Sequence, residues 1–113
     1  VFLNRIIEVF FRLSLKFRDY GDRVIRLYRR VIRLLTIASN DKLLGYTPEM
    51  IREYLVKRRE VELGGLIDLF EKTCFGGYVP DEAEWKMVYA EYKVQWKKLA
   101  KREKTTLELD KNM

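Results

Sequence analysis

Leu63-Gly64-Gly65-Leu66-Ile67-Asp68-Leu69-Phe70-Glu71-Lys72-Thr73-Cys74-Phe75-Gly76-Gly77-Tyr78-Val79-Pro80-Asp81-Glu82-Ala83-Glu84-Trp85 is the stretch on which the fold turns. Leu63, Leu66, Ile67, Phe70 and Cys74 recur at the three- and four-residue spacing that lines up side chains on one side of an α-helix. Gly76 is expected to take the left-handed conformation that ends such a helix, because glycine adopts it without a Cβ penalty. Pro80 cannot continue a helix, and Asp81 followed three residues later by Glu84 has the spacing of a capping box. The stretch therefore predicts two helices meeting at a tight corner, with Cys74 a core residue.

The neighbouring segments repeat the helical period. Downstream, Trp85, Val88, Tyr89, Tyr92, Trp96 and Leu99 form one buried stripe of a last helix over about 81–104, and Thr105 to Met113 carries no packing pattern. Upstream, Thr47-Pro48-Glu49 is a helix start: a hydroxyl that can cap, proline at the first position and an acid in the first turn. Ile51, Tyr54 and Leu55 point inward from that short helix, which fades around Lys57-Arg58-Arg59. The central helix is expected from about Val61, and Gly64-Gly65 near its start suggests a close helix crossing there.

Nearer the N-terminus, Val24, Leu27, Tyr28, Val31, Leu34, Leu35 and Ala38 fall on one side of a helix that ends at Ser39-Asn40-Asp41, and a loop follows over 41–46. Its other face is almost all arginine. Asp19-Tyr20-Gly21-Asp22 breaks this helix from the one before it, with Asp22 as a plausible cap. The opening segment is strongly amphipathic: Phe2, Leu3, Ile6, Ile7, Phe10, Leu13 and Phe17 share one broad face, and Arg5, Glu8, Arg12 and Lys16 the other. Packing on the bundle, contact with a membrane interface and pairing in a dimer all remain open for that apolar face. Nothing alternates with period two, so the expected architecture is all-α, a small bundle of four to five helices with an amphipathic N-terminal helix. The expected organisation is an amphipathic, juxtamembrane-like helix over 1–20, a helical domain over 21–104 and a flexible tail over 105–113.

At 113 residues the chain suffices for one domain burying roughly two thirds of its unfolded surface. Its net charge of +6 is concentrated: residues 1–35 hold nine basic and three acidic side chains, and the rest of the chain balances to zero. Such a block attracts phosphate, on anionic lipid or on nucleic acid. A recognition helix in a helix-turn-helix reading, after the break near Arg58, would carry Glu60, Glu62, Asp68 and Glu71, which repel phosphate. Nucleic acid is therefore disfavoured.

Zero histidine and one cysteine exclude Cys/His zinc sites, an internal disulfide and a histidine-activated Cys74 nucleophile. Gly76-Gly77 lacks the Lys-Ser/Thr of a phosphate-cradling loop. Carboxylates such as Glu49/Glu53 and Asp68/Glu71 have the spacing of ordinary exposed helix faces. No catalytic, cofactor-binding or metal-binding residue is expected. There is no run of about 18 apolar residues and no ordinary signal peptide, and the initial Val1 suggests a piece of something longer. The lack of histidine, the single glutamine and the abundance of Lys, Arg and Glu hint at a thermophilic source.

Three short motifs in order carry a resemblance: Tyr28-Arg29-Arg30 followed by Leu34-Leu35; Thr47-Pro48-Glu49; and Leu69 to Gly77 followed by Asp81-Glu82. Over about residues 23–99 the chain resembles the domain of unknown function at the C-terminal end of membrane-anchored transglutaminase-like proteins. Tyr28, Thr47, Pro48, Glu49, Phe70, Glu71, Phe75, Gly76 and Gly77 are the family-like positions, with Phe75 where the family more often has tyrosine. The resemblance implies a small tail on the cytoplasmic side of the membrane after a final span. It carries over no catalytic residue, and the N-terminal basic block fits the positive-inside bias.

The expectation from sequence is thus a non-catalytic interaction or regulatory module near an anionic membrane surface, in contact with other regions of its parent membrane protein. Arg23, Arg26, Arg29, Arg30 and Arg33 would face the lipid phosphates. A homo-oligomerisation module pairing through the Phe2 to Phe17 stripe is the alternative, and an enzyme built on an unrecognised carboxylate pair comes third.

Overall fold

The computed structural model describes residues 2–39, 43 and 45–101. Among them the chain is all-α: α1 (Phe2–Leu15), α2 (Tyr20–Ser39), α3 (Pro48–Tyr54), α4 (Gly64–Gly76) and α5 (Glu82–Ala100), with a π-helical turn, Leu55–Arg59, extending α3. The tail over 105–113, residues 102–104 and half of the 41–46 loop (41, 42 and 44) lie outside the described residues, and α5 stops at Ala100, short of the expected end, with Lys101 already extended.

The long apolar stripe of α2 makes it the centre. It packs on both α4 and α5, which also touch each other, while α3 leans on α4. Val24, Leu27, Val31 and Leu35 of α2 are buried against Leu66 and Ile67 of α4 and Tyr92 and Leu99 of α5. Ile51, Leu55 and Leu63 close the end under α3.

The helix ends follow from local chemistry. The Thr47 hydroxyl accepts the Met50 N–H at 3.2 Å and Pro48 opens α3, as its sequence predicts. The π turn stops at Glu60, whose φ of 54° is left-handed, and the Val61 N–H donates to the Leu55 carbonyl at 3.0 Å. Arg59 reaches across to the C-terminal end of α5, donating to the Lys98 carbonyl at 2.8 Å and also to that of Lys101. It thereby satisfies carbonyls that a helix end leaves without partners. At the α4–α5 corner both arms of the capping box form: the Asp81 carboxylate accepts the Glu84 N–H at 2.8 Å and the Glu84 carboxylate accepts the Asp81 N–H at 3.1 Å.

Four local expectations are corrected. The left-handed residue is Gly77, with φ of 66°, and Gly76 is the last helical residue; the N–H groups of Gly77 and Tyr78 both reach the Lys72 carbonyl, which places the reversal one residue later. Cys74 is exposed. The inward stripe of α4 runs Leu66, Leu69/Phe70, Thr73, and Thr73 faces Gly21 at the start of α2, so Cys74 falls on the flank. The Gly64-Gly65 pair admits side chains and not a crossing helix: the nearest atoms to a Cβ there would belong to Glu62, Arg52 and Glu91. Finally, Asp19 caps α2, its carboxylate accepting the Asp22 N–H at 2.8 Å; Asp22 instead pairs with Arg18 and Arg26.

Candidate functional site: the outer face of α1 and the arginine edge of α2

The first helix carries two stripes on opposite sides. One is the apolar face read from sequence. The other is mixed: Glu8, Phe11, Arg12 and Leu15, spaced i, i+3, i+4, i+7. The structure packs the mixed stripe. Leu15 is buried and Phe11 half-buried, whereas Ile6, Ile7, Leu13, Phe10 (67% exposed) and Phe17 (88% exposed) face outward. The side chains of Phe2 and Leu3 lie outside the description; among the described ones, packing through the apolar face, one of the options left open by the sequence, is not what holds α1 to the bundle.

What reverses the helix is Glu8, only 3% exposed. One of its oxygens accepts from the Arg30 guanidinium at 3.0 and 3.2 Å; the other accepts from Arg12 Nε at 2.8 Å and from the Tyr92 hydroxyl at 2.8 Å. A buried carboxylate is tolerated only when its charge is matched and its lone pairs are used, and four donors achieve both. Rings complete the joint: the Arg30 guanidinium lies 5.5 Å from the Phe11 ring centre, and that of Arg12 lies 5.5 Å from Trp96 and 5.9 Å from Tyr92. Burial, and then the neighbouring Glu8 carboxylate, push the Tyr92 phenol far above its ordinary range. Tyr92 is thus a permanent donor.

This joint divides the five arginines expected to face lipid. Arg30 is turned inward, its side chain 9% exposed. Arg23 is also structural: it donates to the Arg18 carbonyl at 2.7 Å and the Lys16 carbonyl at 3.2 Å, and covers the rings of Tyr20 and Trp85. Arg26 pairs with Asp22 at 3.2 Å. Arg29 and Arg33 remain exposed and make no ion pair among the described residues. Two like charges one helical turn apart cost about 0.2–0.5 kcal/mol, which a bridging anion would relieve.

Arg29 and Arg33 border two depressions. Between α1 and α2 lies a cleft of about 510 Å³, lined by Ile7 and Phe10 on one wall and by Arg26, Arg29 and Arg33 on the other. On their other side is a cavity of about 470 Å³ walled by Tyr28, Ile32, Leu43 and Phe70. Here Tyr28 stacks on Phe70, with ring centres 3.8 Å apart and planes 8° off parallel. Burial, and then Glu71, push the Tyr28 phenol up to about 12.

The family-like residues sort accordingly. Tyr28, Phe70, Glu71 and Phe75 come together, Phe75 meeting Phe70 edge-on at 6.0 Å. Thr47, Pro48 and Glu49 build the start of α3, where Glu49 pairs with Arg52 at 3.5 Å. Gly76 and Gly77 make the corner.

Sequence reasoning missed the Glu8 joint and the cavity. The signal for the first was present, a second helical stripe in which Phe11 and Leu15 follow a lone acid at i+3 and i+7. The cavity depends on how α2, α4, Leu43 and Tyr46 are placed, which no local pattern records. Among the carboxylates, Glu91 is pushed upward, first by burial and then by Glu62, while the Gly65 N–H opposes the shift.

Among the described residues, no group of three metal-binding side chains is assembled and no helix is long and apolar enough to cross a membrane. No family model, no curated protein and no solved structure matches the chain.

Proposed function

We propose that the chain is a non-catalytic helical module that lies on an anionic membrane surface through the outer face of α1 and the arginine edge of α2. The observation that carries this reading is the reversed helix: α1 packs its mixed stripe of Glu8, Phe11, Arg12 and Leu15 on the bundle and turns Ile6, Ile7, Phe10 and Leu13 outward, with Phe17 exposed just beyond its end. Fully removing such side chains from water is worth about 1.5–3 kcal/mol each. A third of that over five positions exceeds the roughly 1 kcal/mol that each of Arg29 and Arg33 gains near anionic lipid. The apolar face therefore supplies most of the affinity and the arginines the preference for acidic headgroups. Arg29 and Arg33 replace the five-arginine set in this role. Attachment on the cytoplasmic side, as the tail of a transglutaminase-like membrane protein, follows from the resemblance and belongs to this proposal.

A second copy of the chain would also cover an apolar face. Pairing two such faces, however, would bring Arg26, Arg29 and Arg33 of both copies together, and the nearest acid on α1, Glu8, is already buried and paired. Charge complementarity thus favours a surface rich in anions.

The test is flotation with phosphatidylglycerol and phosphatidylcholine vesicles at low and moderate salt, alongside mass by light scattering. A monomer that floats with the anionic vesicles and is released by salt is expected. Phe10→Ser combined with Leu13→Ser should abolish flotation, and Arg29→Gln with Arg33→Gln should remove the anionic preference. A dimer that does not float, or flotation indifferent to the two serines, overturns the proposal.

A further inference from the structure

The cavity bordered by α2, α4, Leu43 and Tyr46 has an apolar interior that surface attachment does not use. We propose that it binds the single alkyl chain of an anionic amphiphile, whose charged head is held by Arg29 and Arg33. This names a ligand class for the membrane reading and rests on that reading for the source of the ligand.

At about 470 Å³ the cavity has the size of a small-molecule site. That leaves room for one alkyl chain and too little for both chains of a diacyl phospholipid. Its walls are apolar and partly rigid. Tyr28 and Phe70 are locked against each other face to face, and Ile32 and Leu43 are buried, so binding orders few new side chains. The Thr36 hydroxyl, at the edge, already donates to the Ile32 carbonyl at 2.8 Å and offers no competing polar demand.

Specificity comes from the rim. Arg29 and Arg33 are one turn apart, exposed, and without an ion pair among the described residues, whereas Arg23, Arg26 and Arg30 of the same helix are engaged elsewhere. A carboxylate or phosphate monoester between two guanidiniums meets matched charge and geometry. The same two arginines border the α1 cleft, so a head they hold lies at the level of the proposed membrane face while its chain enters the cavity.

The experiment is isothermal titration calorimetry of the full chain with laurate and with dodecyl phosphate, both below their micelle concentrations, against dodecyl maltoside and inorganic phosphate. Saturable one-to-one binding of either anionic amphiphile is expected, at least tenfold tighter than the neutral detergent or phosphate alone. The preferred head separates a fatty-acid from a phosphate-ester source. Ile37→Glu places an acid on an exposed edge of the cavity without touching the core, and should weaken binding tenfold or more while leaving helicity intact; by pairing with Arg33 one turn away it reduces the anionic preference in flotation but leaves the attachment carried by the apolar face of α1. Arg29→Gln with Arg33→Gln should erase the difference between anionic and neutral ligands. Phe10→Ser with Leu13→Ser, which tests the membrane face, should leave laurate binding unchanged. Absence of saturable binding, equal binding of dodecyl maltoside, or indifference to Ile37→Glu overturns the inference, and flotation that persists in that case leaves the membrane reading standing.

Discussion

Replacing Glu8 by glutamine tests the joint that turns α1 around. The amide keeps the volume and can still accept from Tyr92, but it removes the charge facing Arg30, whose side chain is 9% exposed. Breaking a buried pair from one side costs about 3–5 kcal/mol, because the surviving charge is left without compensation. Arg12 adds little, since its side chain is 31% exposed and can turn to water. The retained acceptor places the expected loss near the lower end, about 3 kcal/mol, or more than about 10 °C in Tm for a domain of this size. The assay is urea unfolding followed by far-UV circular dichroism at pH 7. Hydrogen exchange at the amides of α1 shows whether the loss appears as undocking of that helix. Pairing Glu8→Leu with Arg30→Met should recover much of the loss, as apolar replacements of buried pairs do. Phe10→Ser, on the exposed face, should change stability by less than about 0.5 kcal/mol. The opposite pattern, a silent Glu8→Gln and a costly Phe10→Ser, would show that α1 docks by its apolar face and would remove the observation behind the proposed function.

Other consequences are local. Gly77→Ala should cost about 1 kcal/mol in the same unfolding assay because its φ is 66°, whereas Gly76→Ala, helical and with open space around it, should be neutral or slightly stabilising. Burial and Glu62 raise the Glu91 carboxyl in the folded state, so its protonated form suits the fold better. Its stabilising contribution is therefore present at acid pH and lost as pH rises through the folded value. Glu91→Gln should unfold at higher urea than the parent at pH 7, with the difference vanishing near pH 4. Cys74 is exposed and should react with a thiol reagent in the native protein without waiting for unfolding, a result a core cysteine would not give.

The bundle was legible wherever one local rule decided the outcome. Thr47-Pro48 and Asp81 with Glu84 cap helices because a short oxygen at the right spacing satisfies a free N–H, whatever surrounds it. The stripe of α2 dominates its sequence and is buried as expected. Legibility failed where two faces competed. In α1 the apolar moment points one way, and Glu8 finds partners 22 and 84 residues away that sequence spacing cannot reveal. The arginines of α2 looked equivalent until Tyr20, Trp85, Asp22 and Glu8 took three of them. Cys74 and Thr73 differ by one position, and only the placement of α4 against the start of α2, where Thr73 meets Gly21, shows which of them faces inward.

The central claim is that the outer face of α1 enters a lipid interface while the bundle stays above it. An environment-sensitive fluorophore on Phe10→Cys, in a Cys74→Ser background, reports this directly, with the same label on Met87→Cys, an exposed position on α5, as the reference. With phosphatidylglycerol vesicles the label at position 10 should shift to the blue and become accessible to a lipid-borne quencher, while that at position 87 stays as in buffer. Equal behaviour of the two labels, or no change at position 10 at saturating lipid, would contradict the account.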